Sequence, residues 1–161
     1  MNRILESRDA KEVVELLQGQ DVYDEESFMF AYNIDILNTT ELDIRNSLFS
    51  YQMIGYASFE KAGNISDILL FQGTTNQRSN SIVRIELLTI SDIEFVKTSF
   101  NKMLEHLKAM NIQKIVTSIM RRQLNKRNEE VFKELGFQSE VVYSAKDNDT
   151  HSDCLTFAFF L

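Results

Sequence analysis

Apolar residues recur along the chain with two periods, and the switches between them mark out its elements. Residues 2–6 read as a short strand. Ser7 or Asp9 then caps a helix reaching about Gln18, with Val13, Val14, Leu16 and Leu17 grouped toward one face and Gly19 as the stop. The stretch 24–38 carries two signals: Asp24-Glu-Glu opens like a helix, whereas Phe28, Phe30, Tyr32, Ile34 and Ile36 alternate, and the alternation favours a strand. Residues 47–51 and 53–60 are apolar and aromatic, with Gly55 inside. With 66–71, beyond the turn Lys61-Ala-Gly-Asn, they predict an antiparallel meander. A polar loop at 73–80 leads to a strongly apolar strand at 82–90, interrupted by Arg84 and Glu86.

Ser91 or Asp92 caps the longest predicted helix, to about Met110, which carries Phe95, Ser99, Phe100, Met103, Leu104 and Leu107 along one face. Residues 112–119 follow as a buried strand. A strand, helix, strand unit of this kind crosses over right-handed and leaves its two strands parallel. The next helix spans 125–136: Asn125 caps it, Val131, Phe132 and Leu135 share a face, and Gly136 stands where positive φ is needed. Strands at 137–144 and 155–161 close the chain as a hairpin. No repeat, Pro-rich linker or low-complexity segment divides it, so the expectation is one α+β domain with a mixed sheet across all 161 residues.

Composition narrows the class. Twelve Phe, five Tyr and no Pro or Trp leave core packing to Phe, Leu, Ile and Met, and the chain is long enough to bury a real core. No apolar run approaches the roughly 20 residues of a membrane-spanning helix, and the first residues lack the basic, apolar pattern of a signal peptide. A cytoplasmic location is the expectation. The single Cys154 excludes an internal disulfide, and one Cys with two distant His gives no zinc-ligand spacing, so no metal is expected. The net charge of −7 hides an uneven distribution. Between Lys97 and Arg127 stand eight basic residues (Lys97, Lys102, Lys108, Lys114, Arg121, Arg122, Lys126, Arg127) and one acidic residue, Glu105. That segment suits an anionic ligand, a phosphate-bearing cofactor and nucleic acid being the two candidates, or else is a solvated helix face.

The order of elements and the run from Asn125 to Phe137 resemble the GCN5-related N-acetyltransferases, as does Met53-Ile-Gly-Tyr-Ala-Ser58, with its apolar residues around a glycine. The resemblance implies acetyl-coenzyme A as cofactor, an amine as acceptor, and pairing of the backbone of Leu88, Thr89 and Ile90 with pantetheine where the central strands part. It also implies Asn125 as a cofactor contact. In that family a glycine-rich loop cradles the pyrophosphate; here Glu94-Phe-Val-Lys-Thr-Ser-Phe100 contains no glycine, and Val96 and Thr98 stand about where two glycines fall. Lys97, Thr98, Ser99 and Arg122 are then the side chains placed to offset that loss. In the pattern Asn-x-x-Ala-x-x-x-Tyr-x-x-x-Gly-Phe, Asn125, Gly136 and Phe137 match, Asn128 replaces the small residue, and Phe132 replaces a tyrosine that protonates the departing thiolate in many members. Phe132 has no proton to give.

The family often uses a carboxylate on or near the central strand, or a water chain, to take the substrate's proton, which points to Glu86, with an ion pair to Arg84 as the competing role. Tyr143 and Cys154 are weaker catalytic candidates; His151 lies three residues from Cys154, but no third group orients it. Three readings follow: an acetyl-coenzyme A-dependent N-acetyltransferase for a small-molecule or peptide amine, whose acidic surroundings suit a cationic acceptor; the same fold without catalysis, as a binding or regulatory module and a possible homodimer; and nucleic-acid binding through 97–127, which lacks interleaved aromatics.

Overall fold

The computed structural model describes residues 1–19, 27–31, 38–73, 81–120, 123–143 and 154–161; of Met120, Val141, Val142, Tyr143 and Cys154 it describes the backbone alone. Among the described residues eight strands form one sheet. Along it run β1 (Asn2–Ile4), β3 (Met53–Phe59), β4 (Ile65–Gln72), β5 (Ile82–Thr89), β6 (Lys114–Met120), β8 (Cys154–Phe160) and β7 (Gln138–Tyr143), while β2 (Met29–Ala31) pairs with β5 outside that order. Among the described strands only β5 and β6 run parallel, as the predicted crossover requires.

Helices α1 (Ala10–Gln18) and α2 (Glu41–Phe49) cover one face, and α3 (Ile93–Ala109) and α4 (Lys126–Leu135) the other. Strand alternation divides the core between them: Ile68 and Leu70 of β4 meet Val13, Leu17, Ile44 and Leu48, whereas Leu69 and Phe71 join Val96, Phe100, Met103 and Phe132. The chain's many Phe residues serve the second core. Phe132 stacks on Phe157 at 5.3 Å and meets Phe137 edge-on at 5.8 Å, and Phe100 meets Phe159 edge-on at 5.3 Å.

One expected strand is a helix. Residues 47–49 close α2, which opens on a capping box: Asp43 donates its backbone N–H to Thr40 Oγ1 at 3.2 Å and accepts from the Thr40 N–H at 2.8 Å. The aromatic run at its end misleads because Phe49 and Tyr51 are exposed, and burial falls to Ile44 and Leu48, four residues apart. The expected helix 125–136 forms as read. Asn125 accepts from the Asn128 N–H at 2.9 Å, and Gly136, at φ 98°, ends α4 with Phe137 N–H donating to the Phe132 carbonyl at 2.9 Å.

Candidate functional site

The candidate site lies where β5 and β6 separate. Their parallel pairing covers Ile82 to Arg84 against Lys114 to Val116 and then stops. Just beyond, β5 carries an extra residue. Leu87 pairs with Leu70 and Ile85 with Phe71, so Glu86 is the bulged residue between them, and it is only 7% exposed. Bulges bend a strand and re-aim its side chains, and they recur beside active sites. Arg84, two residues earlier on the same strand, is exposed.

Beyond the bulge, both edges of β5 are occupied. Leu87 and Leu88 pair with Leu70 and Leu69 of β4, and the same two residues pair with Ala31 and Phe30 of β2. A strand has only two hydrogen-bonding edges, so β2 lies on the edge that β6 holds further down. Ile90 donates its N–H to the Phe28 carbonyl at 2.7 Å. By the alternation of an antiparallel ladder, the peptide groups of Leu88 face β2 as well, and those of Thr89 face β4. Phe30 is buried against Phe132, edge-on at 5.7 Å, while Met29 packs into the opposite core.

Thr89 does other work. Its hydroxyl accepts from the Ile68 N–H at 2.8 Å and sits 3.3 Å from the buried carboxylate of Asp67, to which the Ser91 hydroxyl donates at 2.7 Å. This network ties β4 to the start of α3. Nothing in the periodicity marks Asp67 as distinct from a surface acid.

The start of α3 differs from the expected phosphate cradle. The helix has already begun at Ile93, so Lys97, Thr98 and Ser99 lie within it and not in a loop. Asp92 accepts from the N–H groups of Glu94 and Phe95 at 3.0 and 3.3 Å, which places a carboxylate on the donors a phosphate would use. Ser99 keeps its predicted place on the apolar face of α3 but not the phosphate role: it is buried, and its hydroxyl donates to the Phe95 carbonyl at 2.7 Å. Thr98 is exposed, and Lys97 is 3.6 Å from Glu134 of α4. Asn125 caps α4 from the sequence position the resemblance gives it, and Arg122 lies outside the described residues.

Because β5 and β6 are parallel, Met120 ends at the same side of the sheet as Thr89. Cys154 pairs with Met120 and with Tyr143, so all three backbones stand at the cleft end, on its far wall. Their side chains, and His151, lie outside the described residues. A separate cavity of about 550 Å³ opens between α4 and the terminal hairpin, lined by Leu124, Phe137, Leu155 and Phe157. Its two charges, Glu129 and Lys133, pair with each other at 3.1 Å. Among the described residues no helix is long and apolar enough to cross a membrane, and no group of His, Cys, Asp or Glu is placed to hold a metal ion.

No protein-family profile matches the chain, and no curated protein matches it in sequence. Solved structures do match it in shape. An acetyltransferase of the GNAT family from Streptococcus pneumoniae superposes with a TM-score of 0.73 at 15% identity, covering 100% of this chain and 99% of that one. A probable acetyltransferase from Staphylococcus epidermidis gives 0.72 at 14%, covering 99% of each. A ribosomal-protein-S5-alanine acetyltransferase from Vibrio fischeri gives 0.67 at 12%, covering 99% of this chain and 91% of that one. With the order of strands, the parallel central pair and the bulge beside its parting, these likenesses show that the chain has the fold of the GCN5-related (GNAT) N-acetyltransferases.

Proposed function

We propose that the protein is an acetyl-coenzyme A-dependent N-acetyltransferase acting on an amine, with Glu86 as the base. The observation that carries this reading is a carboxylate, 7% exposed, at the bulge of the central strand where β5 leaves β6. Acetyl-coenzyme A supplies an acyl group on a thiolate that leaves without an acid, which suits a cleft where Phe132 replaces a proton donor. Glu86 takes the proton of the substrate ammonium, freeing the nitrogen lone pair for attack on the acyl carbon. The acidic remainder of the chain favours a cationic amine, small molecule or peptide.

The fit to the cofactor is incomplete in the arrangement described above. Leu88 and Ile90 would hold pantetheine by their backbone groups, but those groups are paired with β2. The α3 donors are capped by Asp92, which leaves Lys97, Thr98 and Asn125 as the described candidates for the phosphate end. These facts favour a second reading, the same fold as a non-catalytic binding or regulatory module. The nucleic-acid reading gains nothing, since Lys97 and Lys114 each face a carboxylate, Glu134 at 3.6 Å and Glu140 at 2.6 Å.

Calorimetry and thermal shift with acetyl-coenzyme A separate the first two readings, because a ligand at 100 times its Kd stabilises the fold by about 2.7 kcal/mol. Binding followed by acetylation of a polyamine or peptide amine supports the enzyme; no binding at millimolar concentration overturns it.

A further inference from the structure

We propose that β2 is a built-in strap over the cofactor edge, and that acetyl-coenzyme A enters the cleft only when Ser27 to Ala31 peels away from β5. This rests on the acetyl-coenzyme A reading above. Pantetheine is an extended chain with two amides, so the edge of a strand is its natural partner, and the edge at the parting of β5 and β6 is where β2 now pairs. Both ligands need the outward peptide groups of Leu88 and Ile90, and only one can have them.

Besides its pairing with β5 and the packing of Met29 in the opposite core, the strap is held by three contacts. Ile90 N–H binds the Phe28 carbonyl at 2.7 Å, Phe30 fills the space beside Phe132, and the Arg127 guanidinium lies 3.9 Å above the Phe28 ring. At its entry the Met29 N–H donates to Ser27 Oγ at 3.1 Å. The strap makes only three register pairs and stands outside the linear order of the sheet, so it can leave without parting β4 from β5. Phe30 then vacates the space beside Phe132. A protein open in about one molecule in ten or fewer binds at least tenfold more weakly than its open form.

Two variants test the strap. Phe30→Pro removes a peptide N–H that faces Leu88, and so favours the open edge. In a Cys154→Ser background, Ala31→Cys with Leu87→Cys pairs two residues at a non-hydrogen-bonded position, where a disulfide can lock the strap and a reductant can release it. Acetyl-coenzyme A affinity is measured by calorimetry for the wild type, for Phe30→Pro and for both redox states of the double variant, after a thermal melt confirms that each is folded. The strap predicts binding at least tenfold tighter for Phe30→Pro than for wild type, and at least tenfold weaker for the oxidised double variant until it is reduced. Equal affinity in all four overturns the strap and leaves the cofactor reading standing. Absence of binding in all four, the opened variant included, overturns both.

Discussion

Glu86 and Phe132 make the sharpest demands on single side chains. If Glu86 is the base, Glu86→Gln keeps the shape of the bulge and lowers kcat for amine acetylation by about 10²–10⁴-fold, read by steady-state kinetics beside an unchanged melting temperature. An unchanged kcat removes it from the chemistry. Phe132 is fully buried between Phe30, Phe137 and Phe157, so the hydroxyl of Phe132→Tyr enters apolar surroundings and costs about 1–3 kcal/mol, measured by urea unfolding. Asp9 gives the pH dependence. Burial disfavours its charge, but hydrogen bonds from Arg3 and from the Glu6 backbone, with the charges of Arg3 and Arg8, hold its carboxyl below the usual carboxylate range. Its contribution to stability is therefore complete above the unfolded value, about pH 4, and is lost as pH falls through the lower folded value. Acid unfolding of Asp9→Asn should lack that component. Among such residues, Asn125 and Gly136 were legible because capping chemistry is local, and so was the place of Ser99 on the apolar face of α3, whereas the use of its hydroxyl was not, since it satisfies its own helix instead of a ligand.

At the level of elements, α4 depends on its two ends. Asn125→Ala removes the cap and costs about 1 kcal/mol. Gly136→Ala costs about 1 kcal/mol or more, because alanine resists φ 98° and its Cβ would stand 2.9 Å from the Phe159 ring; chemical denaturation ranks the two. Long periodic segments such as α3 and the strands from β3 to β5 were readable for another reason than the caps: the pattern repeats over many residues. α2 was not readable, because Phe49 and Tyr51 mimic a strand while only Ile44 and Leu48 carry its buried face. β2 was foreshadowed by the alternation of Phe28 and Phe30, but the rest of that expected strand, 24–26 and 32–37, lies outside the described residues.

Across the whole molecule, the βαβ crossover and terminal hairpin were enough to imply the fold, and the cleft follows from it, since parallel β5 and β6 part after three residue pairs. The occupant of the cleft was beyond reach, because Phe30 meets Leu88 across 58 residues of chain and no local pattern announces such a pairing. The central claim is therefore one of competition for a strand edge. Hydrogen–deuterium exchange on the wild-type protein, with and without millimolar acetyl-coenzyme A, tests it most directly. Competition for the edge predicts that the cofactor strips protection from the amide of Phe30, whose N–H faces Leu88, while Leu88 and Ile90 stay protected; acetyl-coenzyme A bound with the Phe30 amide as protected as before, or no response at all, would contradict it.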